Sequence, residues 1–354
     1  MSAPLISVVM SVYNGDPFLA EAVESILNQS FRNFEFIVID DGSTDRSASI
    51  ISEYQRSDPR MQVHHQENRG LVESLNRGCR LARGTYIARM DADDVAVSDR
   101  FMRQMEFMEQ HPEVGVLGGA VEFINSDGRS LGTSVLPTED REIKAALRHN
   151  CVIVHPTVLM RREAVLSLGA YRKIVVDAED YDLWLRVAER FQLANLKRVV
   201  LKRRYHCSQV SVMKRKQQVL SVLAAHAAAA TRRAGKPDPL QSLEEITPLT
   251  LTALGVSESQ QHAAVAREYL GRIQNLASAG EEPAALELFS EVMRTSDYKA
   301  AENWVIADLQ LFAARLYWRD ARLASSLLAA SRAILRRPVV LGRPIKQLYE
   351  RLVS

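Results

Sequence analysis

The stretch Thr85–Asp94 (TYIARMDADD) decides the fold prediction, because a short apolar strand ends there in three acids. Asp91, Asp93 and Asp94 lie within four positions, and open α/β sheets bind ligands beyond the carboxyl ends of their strands. Carboxylates held this close raise one another's pKa unless a cation lies between them. Mg²⁺ and Mn²⁺ prefer oxygen ligands and retain open positions for a phosphate. The pattern predicts a divalent-cation site, and a solvated acidic turn that caps a helix is the alternative.

Strand and helix patterns alternate through the first third of the chain. Leu5–Val12 and Phe34–Ile39 are continuous apolar runs rich in β-branched residues, which is typical of strands buried on both faces. Met61–His65 and Tyr86–Met90 are expected to be the next two strands. Helices are expected between and after them, at Phe18–Leu27, around Ile50–Tyr54, at Leu71–Ala82 and at Asp99–Gln110. This alternation predicts an α/β fold with right-handed crossovers and a mainly parallel sheet.

Local signals also predict how some of these elements begin and how the sheet continues. Asp16-Pro17 is expected to start the first helix, with aspartate as its N-cap and proline at its first position. Asn125–Gly128 is a hairpin turn signal. Further strands are expected at Val114–Ile124, Arg129–Leu136, Val152–Met160, Gln192–Asn195 and Arg198–Tyr205.

Beyond about residue 212 the strand signals stop, and Ala, Leu and Arg recur at helical spacing. We therefore predict an α/β catalytic domain over residues 1–212 and an all-α region over residues 213–354. Within that region we expect a helix and linker over about 213–258, then a helical bundle over about 259–354 that ends in a helix at 343–353. No sustained 34-residue period is present, so a repeat architecture is not predicted.

The composition excludes several classes of protein. Of the 354 residues, 47% are hydrophobic and 25% are charged, which is ordinary for a folded soluble protein. A net charge of +2 argues against a protein that coats nucleic acid. Cys79, Cys151 and Cys207 form no CxxC pair, so neither a zinc knuckle nor a disulfide framework is indicated and a reducing cytoplasm is expected. The N-terminus lacks the pattern of a signal peptide, and no run approaches the ~18 apolar residues of a membrane span.

Familiar nucleotide and hydrolase motifs are absent from the sequence. The chain has no G-x-G-x-x-G after its first strand, no P-loop, no G-x-S-x-G and no H-E-x-x-H. Three acidic pairs or clusters instead lie at predicted strand ends or on nearby loops: Asp40-Asp41, Asp91–Asp94 and Glu179-Asp180. If they converge on one edge, they can bind a ribose or base, hold a metal and supply a general base.

A series of ordered motifs between residues 5 and 211 resembles a known family. The motifs are Ile6–Asn14 (ISVVMSVYN), Glu24–Ser30 (ESILNQS), Phe34–Thr44 (FEFIVIDDGST), Glu67–Gly70 (ENRG), Ala88–Asp94 (ARMDADD), His155–Thr157 (HPT), Ala178–Leu185 (AEDYDLWL) and Arg204–Ser211 (RYHCSQVS). They resemble the N-terminal half of family 2 glycosyltransferases. The resemblance implies a GT-A fold and an inverting, non-processive enzyme of bacterial polysaccharide or glycan biosynthesis. A membrane-embedded synthase is disfavoured, because its Q-x-x-R-W motif is absent.

The resemblance also implies roles for the residues that bind the donor. Ser11, Tyr13 and Asp41 match positions that contact the nucleotide base and ribose. Arg69 would lie near the base or the pyrophosphate, and Asp91 would be the first acid of the D-x-D motif and a nucleotide-sugar contact. The alternatives are that Asp41 only begins a turn and that Arg69 is a solvated loop arginine.

The remaining roles concern the metal and the proton transfer. Asp93 or Asp94 would bind Mn²⁺ or Mg²⁺, which bridges the diphosphate, and His206 matches a position that makes a further metal or diphosphate contact. Asp180 would be the catalytic base, with Glu179 beside it. The alternatives are that Asp180 only caps its helix and that His206 only bonds the backbone.

The functional hypothesis is therefore metal-dependent transfer of a sugar from a nucleotide donor, a UDP-sugar, to a hydroxyl of a glycan or lipid-linked acceptor. The rivals are a sugar-nucleotide-binding protein without activity and a nucleotidyltransferase. A cytoplasmic location is expected, and association of copies through the helical region is a further hypothesis. Basic clusters are interpreted as solvated helix faces, and peripheral contact with the inner face of the membrane is the alternative hypothesis. These clusters are Lys202–Arg204, Lys214–Lys216, Arg336-Arg337, Arg343 and Lys346.

Overall fold

A computed structural model describes residues 3–204, 212–278, 280–301 and 303–337. The chain divides into two compact units. The first consists of Met1–Ser208 with Ala228–Asp238, and the second of Gln209–Ala227 with Pro239–Ser354. The boundary that we predict near residue 212 stays a prediction.

One mixed sheet of nine strands forms the centre of the first unit. The strands are β1 (Ile6–Val12), β2 (Phe34–Asp40), β3 (Met61–His65), β4 (Tyr86–Met90), β5 (Val95–Ala96), β6 (Val114–Ile124), β7 (Ser130–Thr133), β8 (Leu159–Arg161) and β9 (Gln192–Arg204). Their spatial order is β3-β2-β1-β4-β8-β6-β9-β5, with β7 beside β6. The four strands β1 to β4 are parallel, β8 runs antiparallel to β4 and β6, and β9 runs parallel to β6. The predicted mixed, mainly parallel sheet is confirmed.

Helices cover this sheet. They are α1 (Leu19–Leu27), α2 (Ser47–Ser57), α3 (Leu71–Leu81), α4 (Arg100–Gln110), α5 (Asp140–Ala146), α6 (Arg162–Leu166) and α7 (Glu179–Val187). Leu19, Val23 and Ile26 of α1 recur at helical spacing, and all three are fully buried in the main core. Apolar strands packed against such helix faces hold the strand ends, and thus the loops that follow them, in place.

Three local predictions are wrong. The first helix begins at Leu19 and has no side-chain cap, because the Asp16 carboxylate instead pairs with Arg46 at 2.7 Å. In place of a strand over 152–160, a single 3₁₀ turn, His155–Thr157, precedes the short strand β8. The two short strands expected after residue 191 are one strand, β9, in which 197 and 198 form a bulge that has no partner in β6.

The second unit is helical, as predicted. Its helices are α8 (Val212–Arg233), whose last residues belong to the first unit, and α9 (Pro248–Ala253), α10 (Glu258–Ser278), α11 (Glu282–Val292), α12 (Ser296–Ala300), α13 (Asn303–Arg319) and α14 (Leu323–Arg336). Phe289, Val305 and Ile273 are among the residues of its core. The short helices α9 and α12 are not foreseen by the apolar pattern, and the helix expected at 343–353 lies outside the described residues. Among the described helices, none is long and apolar enough to cross a membrane.

Candidate active site

Three parallel strands end at one edge of the sheet and bring the predicted site residues together. Val12 of β1 pairs with Asp40 of β2, and Met10 of β1 pairs with Met90 of β4. The chain segments that follow these strands therefore leave the sheet side by side. Four of the predicted residues lie on or just after these strand ends: Ser11, Tyr13, Asp41 and Asp91.

The acids after β4 form a compact cluster. Oxygen atoms of Asp91, Asp93 and Asp94, one from each carboxylate, all lie within 4.8 Å of one another. Asp94 is only 1% exposed, whereas Asp91 and Asp93 are partly exposed. Burial of Asp94, together with the charges of Asp91 and Asp93, raises its pKa to about 8. Because the three carboxylates repel one another when ionised, a cation bound between them would stabilise their charged forms.

Arg204, at the end of β9, fixes the geometry of this cluster. Its backbone N–H donates to Asp94 Oδ1 at 2.8 Å, and its Nε donates to the backbone oxygen of Asp93 at 3.0 Å. Asp94 Oδ2 is buried and, among the described residues, has no hydrogen-bond partner. An anionic oxygen left in this state is costly, and a hard cation would satisfy it. The residues present therefore fit a divalent metal ion.

Arg89 supplies a buried positive charge beside the cluster. It is 4% exposed, and its Nη2 pairs with Asp91 Oδ1. Burial opposes the charge of Arg89, but the pairing with Asp91 outweighs burial and raises the pKa of the guanidinium. One oxygen of Asp91 is thus committed to the protein, which orients the carboxylate.

The first turn of α7 carries the second acidic group of the site. Glu179 is 6% exposed, and burial together with the charge of Asp180 raises its pKa to about 7. Burial also raises the pKa of Asp180, although a hydrogen bond from the Tyr181 N–H at 2.7 Å and the charge of Arg89 act in the opposite direction. Arg89 lowers the pKa of Glu179 as well. The acids of β4 and of α7 thus share one buried guanidinium.

His155 is buried and is influenced by the charge of Arg89. Its Nε2 is 2.8 Å from the hydroxyl of Tyr171, and its ring contacts Trp184 edge to face. Burial and the charge of Arg89 hold the pKa of His155 well below its usual range, so the ring is neutral. The backbone of Tyr171 is fixed in turn by Asn76 of α3, through hydrogen bonds of 2.8 and 3.0 Å. A neutral, fully packed histidine suits a positioning role better than proton transfer.

On the β2 side, Asp41 holds the loop that contains Arg69. Its carboxylate accepts hydrogen bonds from the backbone N–H groups of Arg69 and Gly70, each at 2.8 Å, and from Gln66 Nε2 at 2.6 Å. Asp41 is 2% exposed, while the Arg69 side chain is exposed. Asp41 therefore fixes the backbone on which Arg69 is presented.

An open cavity of about 770 Å³ lies beside this loop, and its lining includes Arg69 and Lys173. Tyr13 is 53% exposed at the end of β1, a high value for an aromatic residue that follows a buried strand. The two basic side chains beside the cavity are suited to phosphates, which pair with cations, and the exposed ring at the end of β1 is separately suited to stack on a base.

Sequence reasoning identifies the acids but misses their partners. Arg89 and Arg204 stand inside the quoted motifs, yet nothing in the local pattern marks them as buried or as bonded to Asp91 and Asp94. His206 lies outside the described residues, so its predicted metal contact stays a prediction. The individual roles of the other site residues are likewise predictions.

Sequence comparisons agree with this arrangement. The model of glycosyl transferase family 2 matches residues 7–169. An uncharacterized glycosyltransferase of Methanocaldococcus jannaschii is 34% identical over 210 residues, which cover 58% of this chain and 72% of that protein. The amylovoran biosynthesis glycosyltransferase AmsE of Erwinia amylovora is 31% identical over 202 residues, which cover 56% of this chain and 75% of AmsE.

Solved structures show the same fold at lower identity. TarS 1-349 of S. aureus in complex with UDP-GlcNAc aligns with a TM-score of 0.53 and 17% identity, covering 92% of this chain and 90% of that one. The mannosyltransferase PcManGT from Pyrobaculum calidifontis, in complex with GDP-Man and Mn²⁺, aligns with a TM-score of 0.51 and 19% identity, covering 99% and 88%. The expected GT-A fold, followed by a helical region, is confirmed. This chain is a glycosyltransferase, and it belongs to glycosyltransferase family 2.

Proposed function

We propose that the enzyme transfers a sugar from a nucleotide-sugar donor, a UDP-sugar, to an acceptor hydroxyl, with a divalent cation and with inversion at the anomeric carbon. The observation that carries this proposal is the state of Asp94 Oδ2. This buried oxygen belongs to a cluster of three carboxylates and has no hydrogen-bond partner among the described residues. The cluster shares Arg89 with the acids of α7. The proposed sites for the donor diphosphate and for the base would therefore adjoin one another.

Asp93 and Asp94 would hold the cation, Mn²⁺ or Mg²⁺. When bound, the cation stabilises the negative charge that develops on the diphosphate leaving group. The protein's contribution is orientation. Arg204 fixes Asp94 by a backbone hydrogen bond, and Arg89 fixes Asp91, which leaves the second oxygen of Asp91 for a hydroxyl of the donor.

Asp180 would accept the proton of the acceptor hydroxyl. As the acceptor oxygen bonds to the anomeric carbon, the bond from that carbon to the diphosphate breaks, and the nucleoside diphosphate leaves with the bonding electrons. One displacement from the opposite face gives inversion. The raised pKa of Asp180 favours this role, because a more basic carboxylate accepts a proton more readily.

The donor would occupy the strand ends near Ser11, Tyr13 and Asp41, with Arg69 near the base or the pyrophosphate. TarS in its crystal holds UDP-GlcNAc, and PcManGT holds GDP-Man. Both nucleotides therefore belong in a donor panel, and we expect the UDP-sugars to be preferred.

The acceptor would be a hydroxyl of a glycan or of a lipid-linked saccharide, and the name of the relative AmsE, an enzyme of amylovoran biosynthesis, supports this class. We place the enzyme in the cytoplasm, with peripheral contact at the inner face of the membrane. Lys202 and Arg203 are exposed and could meet an anionic surface, whereas Arg204 is buried and is not available. Failure to sediment with anionic vesicles at low salt would contradict the membrane contact.

A donor panel with and without Mn²⁺ tests the proposal. Ligand that binds only the folded state raises the melting temperature, and turnover releases a nucleoside diphosphate. We expect Asp94→Asn to abolish the rise in melting temperature caused by Mn²⁺. Asp180→Asn should retain that rise and lose turnover by about 100-fold or more, because only the general base is removed.

Asp58→Asn is the matched control. Asp58 is a partly buried aspartate that pairs with Arg60 at 2.6 Å, and it precedes β3 at the opposite edge of the sheet, away from the proposed site. Release of pyrophosphate from a nucleoside triphosphate would favour a nucleotidyltransferase instead. Binding of donors without turnover in the presence of varied acceptors would favour a non-catalytic binder, and retention of the anomeric configuration would exclude the single displacement.

A further inference from the structure

We propose that Asp238 is a positioning residue for the catalytic helix α7, and that the segment 228–238 is thereby part of the catalytic machinery. The inference rests on the proposed role of Asp180, which lies in the first turn of α7. It extends that role to a residue 58 positions further along the chain.

The network begins inside α7, at Asp182. This carboxylate is fully buried, and its Oδ2 is 2.8 Å from Arg186 Nη2 one turn later. Arg186 also donates to the backbone oxygens of Leu168 and Ala170, each at 2.7 Å. The other oxygen of Asp182 lies 3.6 Å from Arg172 Nη1. Arg186 thus holds the last turn of α7 against Leu168 and Ala170, and Asp182 brings the preceding turn close to Arg172.

Asp238 joins both ends of the helix. Its Oδ2 accepts from Arg172 Nη2 at 2.5 Å and from Arg232 Nη1 at 2.7 Å. Arg172 leads to Asp182 near the start of α7, and Arg232 pairs at 2.7 Å with Glu189, just after its end. The Asp238 side chain is only 5% exposed. One buried carboxylate therefore bridges two arginines that hold the two ends of the helix.

The charges of this network balance, and the side chains of Asp182, Arg186 and Asp238 are almost completely removed from solvent. Removing one partner of a buried ion pair leaves the others uncompensated, so the remaining groups rearrange toward solvent or toward new partners. Arg172 also follows Tyr171, the hydrogen-bond partner of His155. His155 in turn packs against Trp184 of α7, so a shift of Arg172 would disturb the packing of the helix that carries Asp180, and a misplacement of about 1 Å can cost about 100-fold in rate.

The acids on the donor side are held by bonds that do not involve Asp238, Arg172 or Arg232. Asp41, Asp91 and Asp94 are held by other residues, through the bonds to Arg69, Arg89 and Arg204. Loss of Asp238 should therefore separate catalysis from donor binding, which a general loss of stability would not do.

The test compares Asp238→Asn, Asp238→Glu and Arg172→Lys with the parent and with the control Asp58→Asn, at a temperature at which circular dichroism shows each protein to be folded. We expect Asp238→Asn to lower kcat by about 10- to 100-fold, while the affinity for the UDP-sugar with Mn²⁺ stays within about twofold. Asp238→Glu should recover part of kcat. Arg172→Lys should resemble Asp238→Asn, because lysine keeps the positive charge but cannot bond to Asp182 and Asp238 at once as the planar guanidinium does. Amide hydrogen exchange over residues 178–187 should become faster in both impaired variants and not in the control.

An unchanged kcat in folded Asp238→Asn would overturn the proposal, and so would an unchanged exchange rate over 178–187. If Asp238→Asn does not fold, Arg172→Lys and Asp238→Glu decide by the same two measurements. If the parent turns over no donor, the proposed function fails, and the exchange over α7 still shows whether Asp238 holds this helix.

Discussion

At the scale of single residues, Glu179 is held where its ionised form is disfavoured. Burial and the neighbouring Asp180 raise its pKa from 4.5 to about 7. The folded protein therefore binds this proton more tightly than the unfolded chain does. The stabilisation from the protonated group is complete below about pH 4.5 and is lost as the pH rises through 7, with a total of up to roughly 3 kcal/mol.

Glu179→Gln should remove this pH dependence, because glutamine does not titrate. Between pH 5 and pH 8, the parent should lose more free energy of unfolding than the variant, and at pH 8 the variant should be the more stable protein. Urea denaturation in the absence of metal and donor measures both values. Glu109→Gln, an exposed position on α4, is the control and should follow the parent. Equal slopes for Glu179→Gln and the parent would show that the group is ionised normally.

At the scale of elements, the close approach of α3 to the sheet depends on one glycine. A Cβ at Gly78 would lie 2.3 Å from Val9 Cγ1 of β1, so one of the two elements would have to move. The same helix begins directly after Gly70, whose N–H donates to Asp41. The packing of α3 on β1 therefore also positions the loop that presents Arg69.

Gly78→Ala should destabilise the protein by about 1–3 kcal/mol through overpacking, although alanine is the better helix former by about 1 kcal/mol. Gly271→Ala is the matched comparison, since a Cβ at this position in α10 meets no atom within 4 Å. There only the helix preference remains, so this variant should be stabilised by up to about 1 kcal/mol. Thermal unfolding of both variants and the parent shows whether each substitution lowers or raises the stability. If the Gly78→Ala protein is as stable as the parent, the Val9 side chain can move aside without a loss of stability, which would contradict the prediction.

At the scale of the whole molecule, the proposed donor and metal residues that the structure describes all belong to the first unit. Binding should therefore suppress local opening there most strongly. With saturating UDP-sugar and Mn²⁺, we expect amide exchange to slow over the β1, β2 and β4 ends and over the first turn of α7. The helices α10, α11, α13 and α14 should change less. Protection that is stronger in those helices than at the strand ends would contradict the assignment of the donor site.

Prediction from sequence succeeds where the signal is local. The strand patterns of β1, β2 and β4 and the acids that follow them are visible because neighbouring residues share one face and one period. The prediction of a strand over 152–160 is wrong because an apolar run has the same composition whether it forms a strand or a buried turn. The prediction of two strands in place of β9 is wrong because the polar pair at 197 and 198 interrupts the apolar pattern without ending the strand.

The sequence by itself determined the family, the α/β order of elements and the acids that stand at the strand ends, since all of these follow from residues close together in the chain. Only the tertiary structure decided which side chains hold those acids. Arg204 meets Asp94 across 110 positions, and Arg172 meets Asp238 across 66. Such pairs depend on the summed geometry of many packed elements and leave no periodic trace, so TYIARMDADD predicts a metal site but not that Arg204 holds Asp94.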